Sequence, residues 1–299
     1  MNNNPSYKFF DVNCNHDEIK IMVLLIITIT IGLLLHIINW TFTGYPGINY
    51  LVKSPQRYFF PFMIALWWLA KRYHHHTPRL ANITWFYTSY FLIYTSLGFL
   101  VNSVQYTPFS PIDPWLIQVD NLLNFNSVTA LQWGHASPFI TTCLQIAYGS
   151  LMWQLLIIPA IVFLYTQSSS LILRYFKQLL ICGLAGMLIY YFLPTVGPAH
   201  YFESPYFSVS EHNTFLKFFE VHHQLPILSA SGGIIAFPSF HVIWALLIIL
   251  VARPIKWLFY PLLLLNTLLI LSTLLLGWHY LVDVIASFIL VFTIAFITR

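Results

Sequence analysis

Apolar stretches long enough to cross a bilayer, roughly 17 to 25 residues each, alternate with short polar connections along nearly the whole chain. They fall at about 21–40, 58–70, 83–102, 139–165, 178–193, 234–252, 257–276 and 279–297, so the pattern predicts about eight transmembrane helices. The second is short and broken by Pro61, with Arg57 and Lys71 at its ends positioned to reach the headgroups. About twenty polar residues, Met1 to Lys20, precede the first span. A cleavable leader has an early basic region and a shorter apolar run, so the first helix is expected to stay. In the third connection Trp115, Leu116, Val119, Leu122 and Leu123 recur at helical spacing opposite Gln118, Asp120, Asn121 and Asn124. This pattern describes an amphipathic helix, either lying in the interface or packed on the bundle. The fifth connection, about 194–237, carries Pro194, Pro198, Pro205, Pro226, the pair Gly232–Gly233 and the histidines His200, His212, His222 and His223. Its length marks it as a functional loop. The pattern divides the chain into a polar tail (1–20), N-terminal membrane helices (21–102) and a helical core (103–299), an all-α polytopic membrane protein.

Composition narrows the class further. Hydrophobic residues make up 58% of the 299 and charged residues 7%, against about a quarter charged in soluble domains. The formal charge of +4 comes from Lys and Arg scattered between apolar runs, which excludes a nucleic-acid surface and leaves the charge as topology information. Lys8, Lys20, Lys71, Arg72, Arg79, Arg174, Lys177, Arg253, Lys256 and Arg299 fall in the tails and even-numbered connections, and only Lys53, Arg57 and Lys217 in the odd ones. By the positive-inside rule both ends are cytoplasmic, and the third, fifth and seventh connections face outward. Cys14, Cys143 and Cys182 have no paired spacing, so no disulfide framework is expected.

Two span mouths carry chemistry. The sixth opens with Phe237-Pro238-Ser239-Phe240-His241. Proline and serine alone are ordinary helix punctuation, but an ionisable side chain at the mouth of a membrane helix is costly unless it has a role. The eighth opens with Gly277-Trp278-His279-Tyr280-Leu281-Val282-Asp283, and Asp283 is the one acidic residue within a predicted span. His279 and Asp283 are four residues apart, on one helical face. A carboxylate there takes one imidazole N–H and leaves the other nitrogen free to attack or to move a proton. Both mouths face outward, so His241 and His279 are expected at one membrane depth. A nucleophile and an acid at one depth suit covalent phosphoryl transfer. The run His74-His75-His76 reads as a solvated interfacial face, His36 and His135 as satisfied single histidines, and the glycosylation signal at Asn82 as silent on its predicted side.

Pro238-Ser239-Phe240-His241 resembles the Pro-Ser-x-His motif of the type-2 phosphatidic acid phosphatase superfamily. Ser272-Thr273, five residues, His279, three residues and Asp283 resemble its last motif, Ser-Arg-x5-His-x3-Asp. Asp113-Pro114-Trp115-Leu116 through Asp120 to Phe125, and Leu193-Pro194-Thr195-Val196-Gly197-Pro198, are similar to the branch containing inositol phosphorylceramide synthases. The resemblance implies that the last five helices and the interfacial helix form the phosphatase-like core, that His279 forms a phosphohistidine, that Asp283 orients it, and that His241 protonates the leaving group. The family's Lys-x6-Arg-Pro motif is missing, with Gly197-Pro198-Ala199-His200 in its place, and Thr273 stands where its last arginine is expected. Arg174 and Lys177 lie ~25 Å away at the other face, at ~1.5 Å per helical residue.

The expected activity is that of a lipid phosphatase or head-group phosphotransferase working through a phosphohistidine at the outer, periplasmic face of a bacterial inner membrane. Ser239, Gly197, His200, Lys217, Trp278 and Tyr280 are its expected substrate contacts, without metal or cofactor. Its expected partners are a membrane lipid and a possible lipid hydroxyl acceptor, and no nucleic acid. Two rivals stay open: a metal-dependent membrane hydrolase with His200, His241, His279 and Asp283 as zinc ligands, and a non-enzymatic lipid-binding or transport protein that keeps the fold.

Overall fold

Inside a bilayer every backbone N–H and C=O must be satisfied within the protein, and the described residues satisfy them with helices. A computed structural model describes residues 16–44, 56–73, 76–226, 228 and 237–299, with thirteen helices and no strand among them. Cys14, Lys53, His74, His75, Gly232 and Gly233 lie outside the described residues. The N-terminal helices are α1 (His16–Thr43), α2 (Gln56–Arg72) and α3 (Pro78–Val104). After them come the short α4 (Asp113–Leu122) and α5 (Ser127–Gly134), then α6 (Pro138–Gly149), α7 (Leu151–Thr166) and α8 (Ser169–Phe192). The loop helices α9 (Pro198–Tyr201) and α10 (Val209–His222) precede α11 (Phe240–Ala252), α12 (Lys256–Leu275) and α13 (Leu281–Ile297).

The burial pattern is that of a membrane protein. In α1 the buried positions include Glu18, Thr28, Gly32 and Asn39, while Ile26, Leu34, Ile37 and Phe42 are exposed. Small and polar side chains draw helices together where lipid tails compete for every apolar one. Asn39 accordingly donates to the Ser103 carbonyl at 2.9 Å. A Cβ on Gly32 would come within 2.9 Å of the Phe99 ring, so α1 and α3 pack backbone-close. Glu18 pairs with Lys71 at 2.5 Å, tying the start of α1 to the end of α2.

Three helices, α1, α8 and α12, are each long and apolar enough to cross a membrane, and the pair α6–α7, bent by 49°, makes up to four. The expected eight is a larger count. Part of the difference is that α11 starts at Phe240, because Ser239 caps it with Val242 N–H on Oγ at 3.4 Å; this leaves α11 with 13 residues and α13 with 17. The single span expected at 139–165 is broken at Gly149–Ser150, a Gly/Ser pair of the kind that kinks helices.

α8 forms the centre, packed against α1, α3, α11 and α13. Its C-terminal end leads into the 194–197 loop, where Pro194 accepts the Ile112 N–H at 2.8 Å. That loop, α4, the first turns of α11 and α13 and the last turn of α12 therefore meet at one end of the bundle. An apolar cavity of about 260 Å³ lies elsewhere, between α1, α2, α3 and α8, with Glu18, Trp67, Ser89 and Phe176 on its walls.

Candidate active site

The turn between α12 and α13 builds the site's first element. Gly277 sits at φ +84° and follows Leu276, the C-cap of α12. Its N–H reaches the Leu274 carbonyl, and the Trp278 and His279 N–H groups both reach Thr273 O at 3.1 Å. This double closure is a Schellman stop, which needs a left-handed residue after the helix. A side chain at 277 would also strike Phe207, 2.6 Å from a built Cβ. The chain therefore turns within two residues and delivers Trp278 and His279 at the mouth of α13.

His279 and Asp283 then pair as the i, i+4 spacing requires. His279 Nδ1 lies 3.2 Å from Asp283 Oδ2, which also accepts the Tyr280 N–H at 3.0 Å. A carboxylate accepting there selects the tautomer with its proton on Nδ1, so Nε2 is the nitrogen that carries the lone pair. His279 is 5% exposed and Asp283 fully buried, so the pair is shielded from competing water. His241, in the first turn of α11, faces it with ring centroids 6.3 Å apart. Phe240 beside it is pinned against Gly186 of α8, where a Cβ would lie 2.8 Å from the ring tip. The Phe237–Pro238 peptide is cis. Ser239 spends its hydroxyl on capping α11, and its carbonyl accepts from Ser287 of α13 at 3.1 Å, which links the two helix mouths.

α4 supplies a part of the site that spacing alone had not assigned. Asp113 and Asp120 are seven residues apart and both buried, while Trp115, Leu122 and Leu123 on the other side are exposed. The helix thus buries its two aspartates together with Leu116 and turns Trp115, Leu122 and Leu123 outward alongside Gln118 and Asn121. Asp120 accepts the Leu281 and Val282 N–H groups, both at 2.9 Å, and so caps α13 from another helix. Asp113 accepts from Val196 N, from Gly197 N at 2.9 Å and from the Tyr280 hydroxyl at 3.1 Å. Burial pushes the Asp113 carboxyl up to about 6, against the pull of those donors. Burial also raises Asp120, opposed by its two N–H donors. The sequence signal was present: two acids at i, i+7 on an otherwise acid-free amphipathic helix.

Of the expected substrate contacts, Trp278 and Tyr280 lie within this assembly. Gly197, at φ +85°, lies beside it, with the Trp278 carbonyl 3.6 Å from where its Cβ would be. Its N–H is held by Asp113. His200 packs face to face on Phe215, centroids 3.5 Å apart, and burial lowers its pKa, which weakens it as a phosphate-binding cation. Lys217, on α10, is likewise lowered by burial. His222 spans between the carbonyls of Phe218 and Thr107, both at 2.8 Å, holding α10 to the chain before α4. Among the described residues no three His, Cys, Asp or Glu side chains gather as a metal-ligand group, so the four residues of the zinc rival do not converge.

Sequence reasoning did not single out Tyr148. It lies in the last turn of α6, and its ring stacks on His241 with centroids 4.2 Å apart and on Trp278 at 5.4 Å.

A family model of the PAP2 superfamily matches residues 114–297, a stretch that holds both histidines, Asp283 and Asp120. The chain belongs to the PAP2 superfamily. Neither the curated proteins nor the solved structures compared with it contain a match. Membership of PAP2 points to phosphatase-type activity on phosphate esters, and the apolar helices place that activity in a membrane-embedded protein.

Proposed function

We propose that this PAP2 protein is an integral membrane lipid phosphatase or head-group phosphotransferase, with His279 as nucleophile, Asp283 as its orienting partner and His241 as acid and base. The observation that carries the reading is the buried His279–Asp283 pair with a second imidazole 6.3 Å away, centroid to centroid. A phosphorus atom fits between two rings at that separation. Nε2 of His279 attacks phosphorus, the P–O bond to the lipid breaks, and His241 passes its proton to the departing oxygen. A water or a lipid hydroxyl then attacks the phosphohistidine, gives its proton to His241 and releases His279 as the P–N bond breaks.

The substrate class follows from charge. Between Arg79 and Arg174 there is no Lys or Arg, and between Lys177 and Arg253 there is only Lys217. A dianionic monoester is poorly matched to so few cations. A phosphodiester or a diphosphate-linked lipid, with less charge on the phosphorus attacked, is the better match. The likeness of the 113–125 and 193–198 segments to inositol phosphorylceramide synthases supports the transfer variant. Eight spans, with both ends cytoplasmic and the site at the periplasmic leaflet, is the topology that the charge distribution supports.

The test is to incubate purified wild type and His279→Ala with lipid phosphomonoesters, diphosphates and phosphodiesters, following phosphate release and head-group transfer separately. His279-dependent release means phosphatase, and His279-dependent transfer means synthase. Vanadate should inhibit and chelators should not. The scarcity of cations also favours a second reading, a lipid-binding protein that keeps the fold, for which no lipid phosphate would show histidine-dependent turnover.

A further inference from the structure

Tyr148 touches both halves of the catalytic apparatus. Its ring lies parallel to the His241 imidazole, 4.2 Å between centroids and 18° between planes, and parallel to Trp278 at 5.4 Å and 9°. The phenol oxygen is 3.5 Å from His241 Nδ1. With the rings stacked, that oxygen sits over the imidazole face rather than in its plane, so the contact is a π contact and not a good hydrogen bond. Trp278 precedes the nucleophile His279, and its backbone N–H is fixed by Thr273. Tyr148 is thus the side chain through which the acid on α11 meets the turn that carries the nucleophile.

Its own position is well anchored. It lies one residue before the Gly149–Ser150 break that bends α6 from α7 by 49°. Just beyond the break, Gln154 donates to Ser150 Oγ at 2.8 Å and accepts from Asn266 Nδ2 of α12 at 2.7 Å. The bend directs the last turn of α6 at the histidines, and the buried Gln154–Asn266 bond holds the bend in place.

We infer that Tyr148 is the positioning residue for the general acid: its ring fixes the plane of His241, so that the imidazole presents its proton to the leaving-group oxygen. The electron-rich face also favours the protonated ring that an acid must be before it acts. The inference rests on His241 serving as acid, and the experiment separates the two. A leaving group of high pKa needs a proton from the acid, whereas 4-nitrophenolate leaves without one. The probes are n-octyl and 4-nitrophenyl phosphate, and the matching octyl and 4-nitrophenyl methyl phosphate diesters.

His241→Ala should lose 100-fold or more in kcat on the octyl ester and under tenfold on the nitrophenyl ester. Tyr148→Leu should reproduce that split in milder form, about 10- to 50-fold against threefold or less, and its nitrophenyl activity reports that it is folded. Tyr148→Phe, which keeps the ring, should restore octyl turnover. Equal losses on both esters in Tyr148→Leu, no loss on either, or a Phe variant as poor as the Leu variant overturns the role of Tyr148 while leaving His241 in place. If His241→Ala shows no split, or wild type turns over none of the esters, the acid role falls and the inference falls with it.

Discussion

At the scale of single residues, one oxygen does two jobs. Asp283 Oδ2 accepts from His279 Nδ1 and from the Tyr280 N–H, so the group that sets the His279 tautomer also shapes the helix start. Asn at 283 can set its one amide oxygen where Oδ2 lies and keep both bonds, but it removes the negative charge that would offset the positive charge His279 gains once Nε2 is phosphorylated. Asp283→Asn should therefore cut kcat by about 10²- to 10³-fold while lipid binding, read by equilibrium retention on substrate-containing vesicles, stays within a few fold. Asp113 carries a pH prediction. Its carboxyl holds a proton up to about pH 6 in the folded protein because of burial, against 3.8 for an ordinary aspartate. Between those values the folded state binds more protons than the unfolded one, so this contribution to stability is present at the acid end and declines as pH rises toward 6. Melting in detergent at pH 4 to 7 should show that slope in wild type and a shallower one in Asp113→Asn, where Asp120, also raised by burial, still contributes; a slope unchanged by the substitution would refute the assignment. The proposed trio was legible because local rules reach it: four residues is about one helical turn, and an ionisable group in or at the mouth of an apolar run costs too much to persist without a partner or a role. Tyr148 was not. Its partners His241 and Trp278 are 93 and 130 residues away, and a stack between distant rings leaves no periodic trace.

At the scale of elements, the interfacial helix is also a clamp. α4 was legible as an amphipathic helix, in the interface or packed on the bundle, but not that its two aspartates turn inward with Leu116 while Trp115, Leu122 and Leu123 face out. Periodicity finds two faces and is silent on which one meets protein when the outer solvent is lipid. The clamp acts through Asp120, which supplies acceptors to the first N–H groups of α13. Asp120→Ala leaves both donors without that acceptor and should cost about 1–3 kcal/mol in stability. Because those amides directly follow His279 and Tyr280, it should also lower kcat by more than the melting shift explains at a temperature well below the transition. Asp120→Asn, which keeps one acceptor, should fall between. Equal activity in all three proteins at such a temperature would reduce α4 to a passive cover. The bend between α6 and α7 was the least legible element, since Pro159 is the obvious candidate for a break and the chain stays helical through it.

At the scale of the molecule, the question is which leaflet the site serves, and α8 turns it into a measurement. Its 24 residues span ~36 Å at 1.5 Å each, enough for the hydrocarbon core. Its C-terminal end leads directly to the 194–197 loop held by Asp113, so a crossing α8 puts the candidate site and its own N-terminal end on opposite sides of the membrane. In the proposed topology Arg174 and Lys177 put the N-terminal end on the cytoplasmic side, because cytoplasmic ends of spans collect Lys and Arg. In α10, Val209 is exposed at 74%, on the same connection as the catalytic-end loop, and Ser170 is exposed in the first turn of α8. With Cys14, Cys143 and Cys182 replaced by serine or alanine, a cysteine at each position becomes a reporter. Val209→Cys should react with a membrane-impermeant maleimide in intact cells, and Ser170→Cys only after permeabilisation. The reverse pattern would put the histidines at the cytoplasmic leaflet, where the available phosphate esters and acceptor hydroxyls are different, and the periplasmic reading would be abandoned with the Arg174 and Lys177 argument that supports it. Labelling of both in intact cells would mean that α8 does not cross, and the topology would have to be rebuilt from that helix.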